Sequence, residues 1–301
     1  MCGIVGVYAK SAAFGERLGA HLSRMLVQMN DRGPDSAGVA VYRDPVAAGS
    51  TKLTLQADEP GYDWARVHDG LEAAFGGDAQ PEVRASHAVL VAHADAAAAQ
   101  GWVRANHPEL RIMSAGDVIE IYKETGLPSA FAERFALDDL HGTHALGHTR
   151  MATESKVTTA GSHPFSTGLD LCLVHNGSLS NHNSLRRSLR REGIEFQTEN
   201  DTEVAAGYLT WRLREGDTLN EALEGCLRDL DGFYTFLIGT ADGFAVLRDP
   251  IACKPAVMAE TDDWVAMASE FRAIAVLPGA ADATIWEPAP ATIYAWERER
   301  V

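Results

Sequence analysis

The chain opens MCGIVGVYAK: a cysteine directly behind the start methionine, then an uninterrupted strand pattern. A terminus is ordinarily the least ordered part of a domain. Here Ile4, Gly6 and Tyr8 would point to one side and Val5 and Val7 to the other, the alternation of a half-buried strand. A fold that uses this segment must tie its own terminus into a sheet, and Cys2 is the residue such anchoring would hold still. If the methionine is removed, Cys2 carries a free α-amine beside its thiol. An α-amine has an ordinary pKa of about 7.7–8.0, so part of it is neutral near neutral pH. Nucleophile and base would then share one residue. From position alone, the cysteine reads equally well as that nucleophile or as a small residue opening a strand.

The 301 residues allow one large domain or two modest ones, and an apolar fraction of 46% can build a core without metal or disulfide staples. Basic residues number 26 against 42 acidic, a net charge of −16. Such a chain repels phosphate backbones, and no Lys/Arg cluster offsets this, so nucleic acid is not an expected partner. Cys2, Cys172, Cys226 and Cys253 are too scattered for a disulfide framework, and no CxxC pair marks a zinc or redox site. The last three sit in apolar stretches and are expected in the core. Apolar runs are far too short to span a bilayer, and the N-terminus lacks a signal-peptide layout, so no membrane association and a cytoplasmic location are expected.

Leu18, Leu22, Met25, Leu26 and Met29 recur at helical spacing, which predicts a helix over about 15–30. NDRGPDSAGVAVY then turns into a strand at 37–43. Residues 44–86 are turn-rich; HAVLVAHA reads as a strand, ADAAAAQGWVRANH and AGDVIEIYKETG as helices, and 129–136 as a short helix. The stretch 44–140 is thus expected to be an α/β insertion in a larger fold. Further on, THALGHTRMAT and DLCLVHNG read as strands, and three helices are expected at NHNSLRRSLRREG, 202–216 and 218–230. The tail supplies the strands YTFLIGT, FAVLRD, AVMAE, WVAMAS and TIYAWE.

DRGPDSAG (31–38), GHTRMAT (147–153), SHPF (162–165), LVHNG (173–177), ENDTE (199–203), RDPIACKP (248–255) and ASE (268–270) follow one another behind the N-terminal cysteine. In this order and approximate spacing they resemble the landmarks of class II glutamine amidotransferases, from Met1 to about Glu270. The resemblance implies the N-terminal-nucleophile fold, an α+β four-layer αββα sandwich, here as one domain over 1–301 with the insertion at about 44–140. It implies Cys2 as nucleophile and L-glutamine as substrate. Asn176, by its side-chain amide, and Gly177, by its backbone N–H, would donate to the oxyanion. HNG also reads simply as a tight turn, and the two readings are compatible. Arg150 would take the glutamine α-carboxylate by its bidentate fork, and Asp201 the α-ammonium, with Thr153 near the carboxylate and Arg32 positioning the nucleophile. Asp201 also reads as a helix N-cap before TEVAAGYL. Departures from the family pattern are Glu154, Ser178 and Ala252, the last where glycine is frequent.

His141, His144 and His148 superficially suggest a metal site, but no cysteine or carboxylate nearby completes a set, so no metal is expected. His148 and His175 are expected to belong to strands and His163 to serve a structural role. After about Glu270 only some thirty residues remain, too few for a phosphate loop or sugar-binding domain. The ammonia is therefore expected to pass to a separate synthase subunit, in the manner of glutamate synthase-type systems such as N-methylglutamate synthase. No cofactor is expected in this chain; FMN and any iron–sulfur cluster would belong to the partner. The alternatives are a self-sufficient N-terminal-nucleophile amidohydrolase on another amide, and a catalytically silent interaction subunit in which Met1 is retained. The Arg150–Asp201 pair, which suits a free amino acid, argues against the first.

Overall fold

The computed structural model describes residues 2–77, 80–152 and 157–298. The first strand, Gly3–Ala9, lies inside a seven-stranded antiparallel sheet. It pairs with Trp264–Ala268 on one side and His144–Arg150 on the other. Ser36–Tyr42 and Ile119–Thr125 continue the sheet beyond His144–Arg150. The first strand is therefore buried on both faces rather than half-buried. Val5 and Val7 meet a helical layer that includes Leu18, Leu22, Met25 and Leu26 of the helix Leu18–Val27. Ile4 and Tyr8 meet a second sheet through Cys172, Val174, Leu237 and Val246.

That second sheet has five strands, in the order Thr292–Glu297, Gly243–Arg248, Gly232–Gly239, Leu171–Leu179 and Phe165–Gly168. Its outer face is covered by the helices His182–Arg191, Asp201–Arg214 and Leu219–Asp229, whose Leu189, Tyr208, Leu209 and Leu223 pack on Phe236, Ile238 and Leu247. The last of these helices starts on a capping box of Thr218 and Glu221. The layers run helix, sheet, sheet, helix: the αββα sandwich.

Residues 51–116 leave this sandwich and form their own unit. Thr51–Gln56, Glu82–Arg84, His87–Ala92 and Arg111–Gly116 make a four-stranded antiparallel sheet. The helices Trp64–Phe75 and Ala96–Asn106 cover it through Trp64, Val67, Leu71, Ala99 and Val103. The β-α-β-β-α-β order is a split βαβ arrangement with a core of its own. The inserted segment is shorter than the expected 44–140. Ile119–Thr125 pairs residue for residue with Ser36–Tyr42 in the large sheet, and Phe131, Phe135, Leu137 and Leu140 join the core beneath it.

The helix expected at AGDVIEIYKETG is instead the end of one strand, a turn and the strand Ile119–Thr125. The Asp170 carboxylate fixes that turn by accepting from the backbone N–H groups of Asp117, Val118 and Ile119 at 2.8–3.1 Å. Cys172 and Cys226 are buried as expected, and burial raises the Cys172 thiol to about 12. Cys253 is exposed instead. It follows Ala252, which sits at φ +52° in the left-handed region, the conformation that makes glycine the easy choice there.

Candidate active site

The start of the first strand is fastened by two reciprocal bonds to the strand end beside it. Ile4 N–H donates to Ser269 Oγ and Ser269 N–H to the Ile4 carbonyl, both at 2.9 Å. Cys2, half-buried with a free thiol, stands two residues before Ile4. Its carbonyl oxygen, with two lone pairs, accepts from Arg32 Nε at 2.7 Å and from Asn176 Nδ2 at 3.3 Å. Arg32 is 9% exposed, and its Nη1 pairs with Glu270 Oε1 at 2.5 Å. The other Glu270 oxygen meets Arg272 Nε at 2.7 Å. Ser269 and Glu270, both of the ASE motif, thus hold the terminus and its arginine. The motif was visible in the sequence; these two jobs were not.

The DRGPDS turn lies directly on the GHTR strand. A Cβ at Gly33 would stand 2.5 Å from the Thr149 carbonyl carbon and 2.6 Å from Arg150 N, so only glycine permits this approach. Asp35 N–H donates to the Arg150 carbonyl at 3.0 Å, and Asp35 Oδ2 accepts from Ala152 N–H at 2.7 Å. The backbone around Arg150 is therefore pinned from this side. Arg150 itself lies one step past the Gly3–Thr149 pair, level with Cys2. Its Nη1 donates to the Gly161 carbonyl at 2.9 Å, which also accepts from Asn200 Nδ2 at 3.4 Å.

HNG is not a tight turn: Asn176 and Gly177 lie within the strand Leu171–Leu179, opposite Thr235 and Tyr234 of the next strand. Gly177 has φ +151°, and a Cβ there would come 2.0 Å from the Phe233 carbonyl oxygen and 2.7 Å from His175 Nε2. Strain and overlap act together, so Gly177→Ala is expected to cost about 3 kcal/mol. Urea unfolding checks this; a loss below about 1 kcal/mol would contradict the close approach of Gly177 to the Phe233 carbonyl.

Behind this part of the strand, three buried histidines are linked by hydrogen bonds. His175 N–H donates to His163 Nδ1 at 3.3 Å, so His163 carries its proton on Nε2 and donates to Thr202 Oγ1 at 3.2 Å. Thr202 Oγ1 also lies 3.0 Å from His175 Nδ1 and 3.5 Å from Asp201 Oδ1. His175 Nε2 is buried and makes no hydrogen bond among the described residues. His148 stacks on His163 with ring centroids 4.0 Å apart and donates from Nε2 to the His175 carbonyl at 3.1 Å. Burial lowers all three, His148 to about 3, so the stack is neutral at neutral pH.

Asp201 is the first residue of its helix, and the N-cap is Asn200, whose Oδ1 accepts from Thr202 N–H at 2.8 Å. Asp201 instead ties the helix to the sheet: its Oδ2 accepts from Leu179 N–H at 2.9 Å, and Oδ1 lies 3.8 Å from His175 Nδ1. The structure thus joins Cys2, Arg32 and Asn176 by direct bonds and places Gly177 and Asp201 around the same strand end. Thr153, Glu154 and Met1 lie outside the described residues. His144 and His148 direct Nε2 at the carbonyls of Thr240 and His175, while His141 lies at the surface beside Asp44. A cavity of about 370 Å³ between the helix Ala96–Asn106 and residues 193–197 is lined by none of Cys2, Arg32, Arg150, Asn176 or Asp201.

This arrangement has counterparts in known proteins. A model of the glutamine amidotransferase domain matches residues 148–276. The glutamine amidotransferase-like protein GlxB of Rhizobium meliloti is 55% identical over 301 residues, covering all of this chain and 99% of that protein. The chain belongs to the class II glutamine amidotransferases. A relative from Methanothermobacter thermautotrophicus, whose name also carries glutamine amidotransferase, is 35% identical over 283 residues, covering 90% of this chain and 92% of its own. The allosteric regulatory enzyme of purine biosynthesis matches 99% of this amidotransferase and 47% of its own chain, with a TM-score of 0.64 at 22% identity. That last likeness bears on the fold. Among the described residues, no helix is long and apolar enough to cross a membrane.

Proposed function

We propose that this amidotransferase hydrolyses L-glutamine through Cys2 and hands the ammonia to a separate synthase subunit. The observation that carries the reading is the double hold on the Cys2 carbonyl by Arg32 and Asn176, which fixes the residue while leaving its thiol unbonded to either. The Cys2 thiolate attacks the side-chain carboxamide carbon of glutamine. The Asn176 amide, held at only 3.3 Å, turns with the Gly177 N–H to the oxyanion. The carbon–nitrogen bond breaks, and the leaving nitrogen takes its proton from the Cys2 amine through a water. Water then cleaves the γ-glutamyl thioester, releasing glutamate and restoring the thiol. Arg150 and Thr153 take the glutamine carboxylate, Asp201 its ammonium, and Arg32 holds the nucleophile in register.

The separate acceptor is supported by the relative at 55% identity, 99% of which is this same unit. An amidotransferase unit with an insertion between DRGPDSAG and GHTR favours a partner of glutamate synthase or N-methylglutamate synthase type, and FMN and iron–sulfur chemistry would reside there. Intact mass of the native protein, before and after a glutamine-analogue electrophile, tests the core of the proposal. The expected result is loss of methionine and one adduct, on Cys2. An N-terminal Cys2 that takes no adduct overturns it. A retained methionine would favour the silent-subunit reading instead.

A further inference from the structure

Lys123 is an unusual residue to find in the large sheet. It is 4% exposed, and among the described residues no carboxylate pairs with it. Glu203, Arg111, His163 and His87 are the charged or titratable groups that feel it. Burying a cation without a partner is costly unless its donors are met. Here all three are: Nζ donates to the carbonyls of Ala160, Ser162 and Pro164 at 3.2, 2.9 and 3.2 Å, and stands 4.5 Å over the Phe165 ring.

The three carbonyls alternate along one stretch of chain. The carbonyl between the first two, that of Gly161, accepts from Arg150 and Asn200 instead. His163, in the same stretch, holds Thr202 and the backbone of His175. Residues 160–164 therefore form a spine with Lys123 against one set of carbonyls and the substrate-side groups against the others. The strand that carries Lys123 is itself fixed, by its full register with Ser36–Tyr42 and by the Asp170 carboxylate at its start.

We propose that Lys123 is a positioning residue for glutamine binding: by gathering the Ala160, Ser162 and Pro164 carbonyls it fixes the Gly161 carbonyl that aims Arg150. The inference rests on the reading that Arg150 receives the glutamine carboxylate. Lysine is suited to it as a compact point donor with three protons, where a planar arginine fork would not fit three carbonyls converging on one atom.

The test is Lys123→Met in the full chain, which keeps the length and removes every donor. The expected result is a glutamine KM raised about tenfold or more, with kcat changed less than about threefold. Alkylation of Cys2 by iodoacetamide, which has no amino-acid carboxylate, should proceed at the wild-type rate. A purely packing role would lower the active fraction and kcat and leave KM alone, and that outcome overturns the proposal. Arg150→Lys separates this inference from the reading beneath it. If Arg150→Lys leaves KM unchanged, the reading of Arg150 fails. If Arg150→Lys raises KM and Lys123→Met does not, the role of Lys123 alone fails. The double variant should raise KM no further than Arg150→Lys does. Should Lys123→Met not fold, Lys123→Gln, which keeps two donors, carries the same two outcomes with a smaller rise in KM.

Discussion

Cys2→Ala is expected to lower glutamine hydrolysis at least about 10⁴-fold while leaving the protein as stable as the wild type. The loss follows from removing the only atom that forms the thioester; what remains is binding and oxyanion stabilisation, which act on nothing without a nucleophile. The unchanged stability follows from what holds Cys2. Arg32 Nε and Asn176 Nδ2 both bond its backbone carbonyl, which alanine keeps. The side chain lies in none of the four hydrophobic clusters. A surface-level change of about ±0.5 kcal/mol is the expected ceiling. With an ammonia-consuming partner present, the variant should still support synthesis from free ammonia. Glutaminase activity above about 1% of wild type would exclude Cys2 as the nucleophile. A large stability loss would mean that the terminus depends on the thiol and not on its backbone.

The terminal strand was legible because its neighbours in sequence repeat its logic: alternation over Ile4–Tyr8 needs only a sheet, and the structure supplies one on each side. The site residues were legible as motif members, not as geometry. That Glu270 would answer Arg32 across 238 positions, or that Asn200 rather than Asp201 would cap the helix, depends on how distant segments meet. The misread stretch 115–126 shows the limit. Its Ile119 and Ile121 alternate at the period of a strand, with the charged Glu120 and Lys123 between and beyond them. Both are buried. Glu120 is met by Arg43, Lys52 and the Tyr122 hydroxyl, and Lys123 by three carbonyls, none of which the local sequence announces. The strand Thr51–Gln56 lies in a stretch whose prolines and glycines read as turns; its Lys52 is buried against Glu120 and the Asp44 carbonyl.

Acid should unfold this protein well above the range where carboxylates titrate. His87, His144 and His148 are at most 1% exposed, and burial lowers each to about 3. In the unfolded chain each returns to about 6.5. Between these values the unfolded state binds more protons, so stability is full above about pH 6.5 and falls as the pH drops toward 3. At pH 5 each histidine costs about 2 kcal/mol relative to neutral pH, and the three together about 6 kcal/mol. That rivals the whole stability of an ordinary domain. For a chain of this size it corresponds to a Tm lower by about 10 °C at pH 5 than at pH 7.5. The figure does not depend on the native values in detail, because any value below about 4 gives the same proton count at pH 5. His163 and His175, also lowered, add in the same direction. Calorimetry in buffers of different ionisation heat should find at least about three protons taken up on unfolding at pH 5. A Tm at pH 5 within about 2 °C of that at pH 7.5 would contradict the neutral burial of His87, His144 and His148. Because His148, His163 and His175 stand directly behind Asn176 and Gly177, activity should fail in the same window, and fail reversibly if the protein is returned to neutral pH before it aggregates.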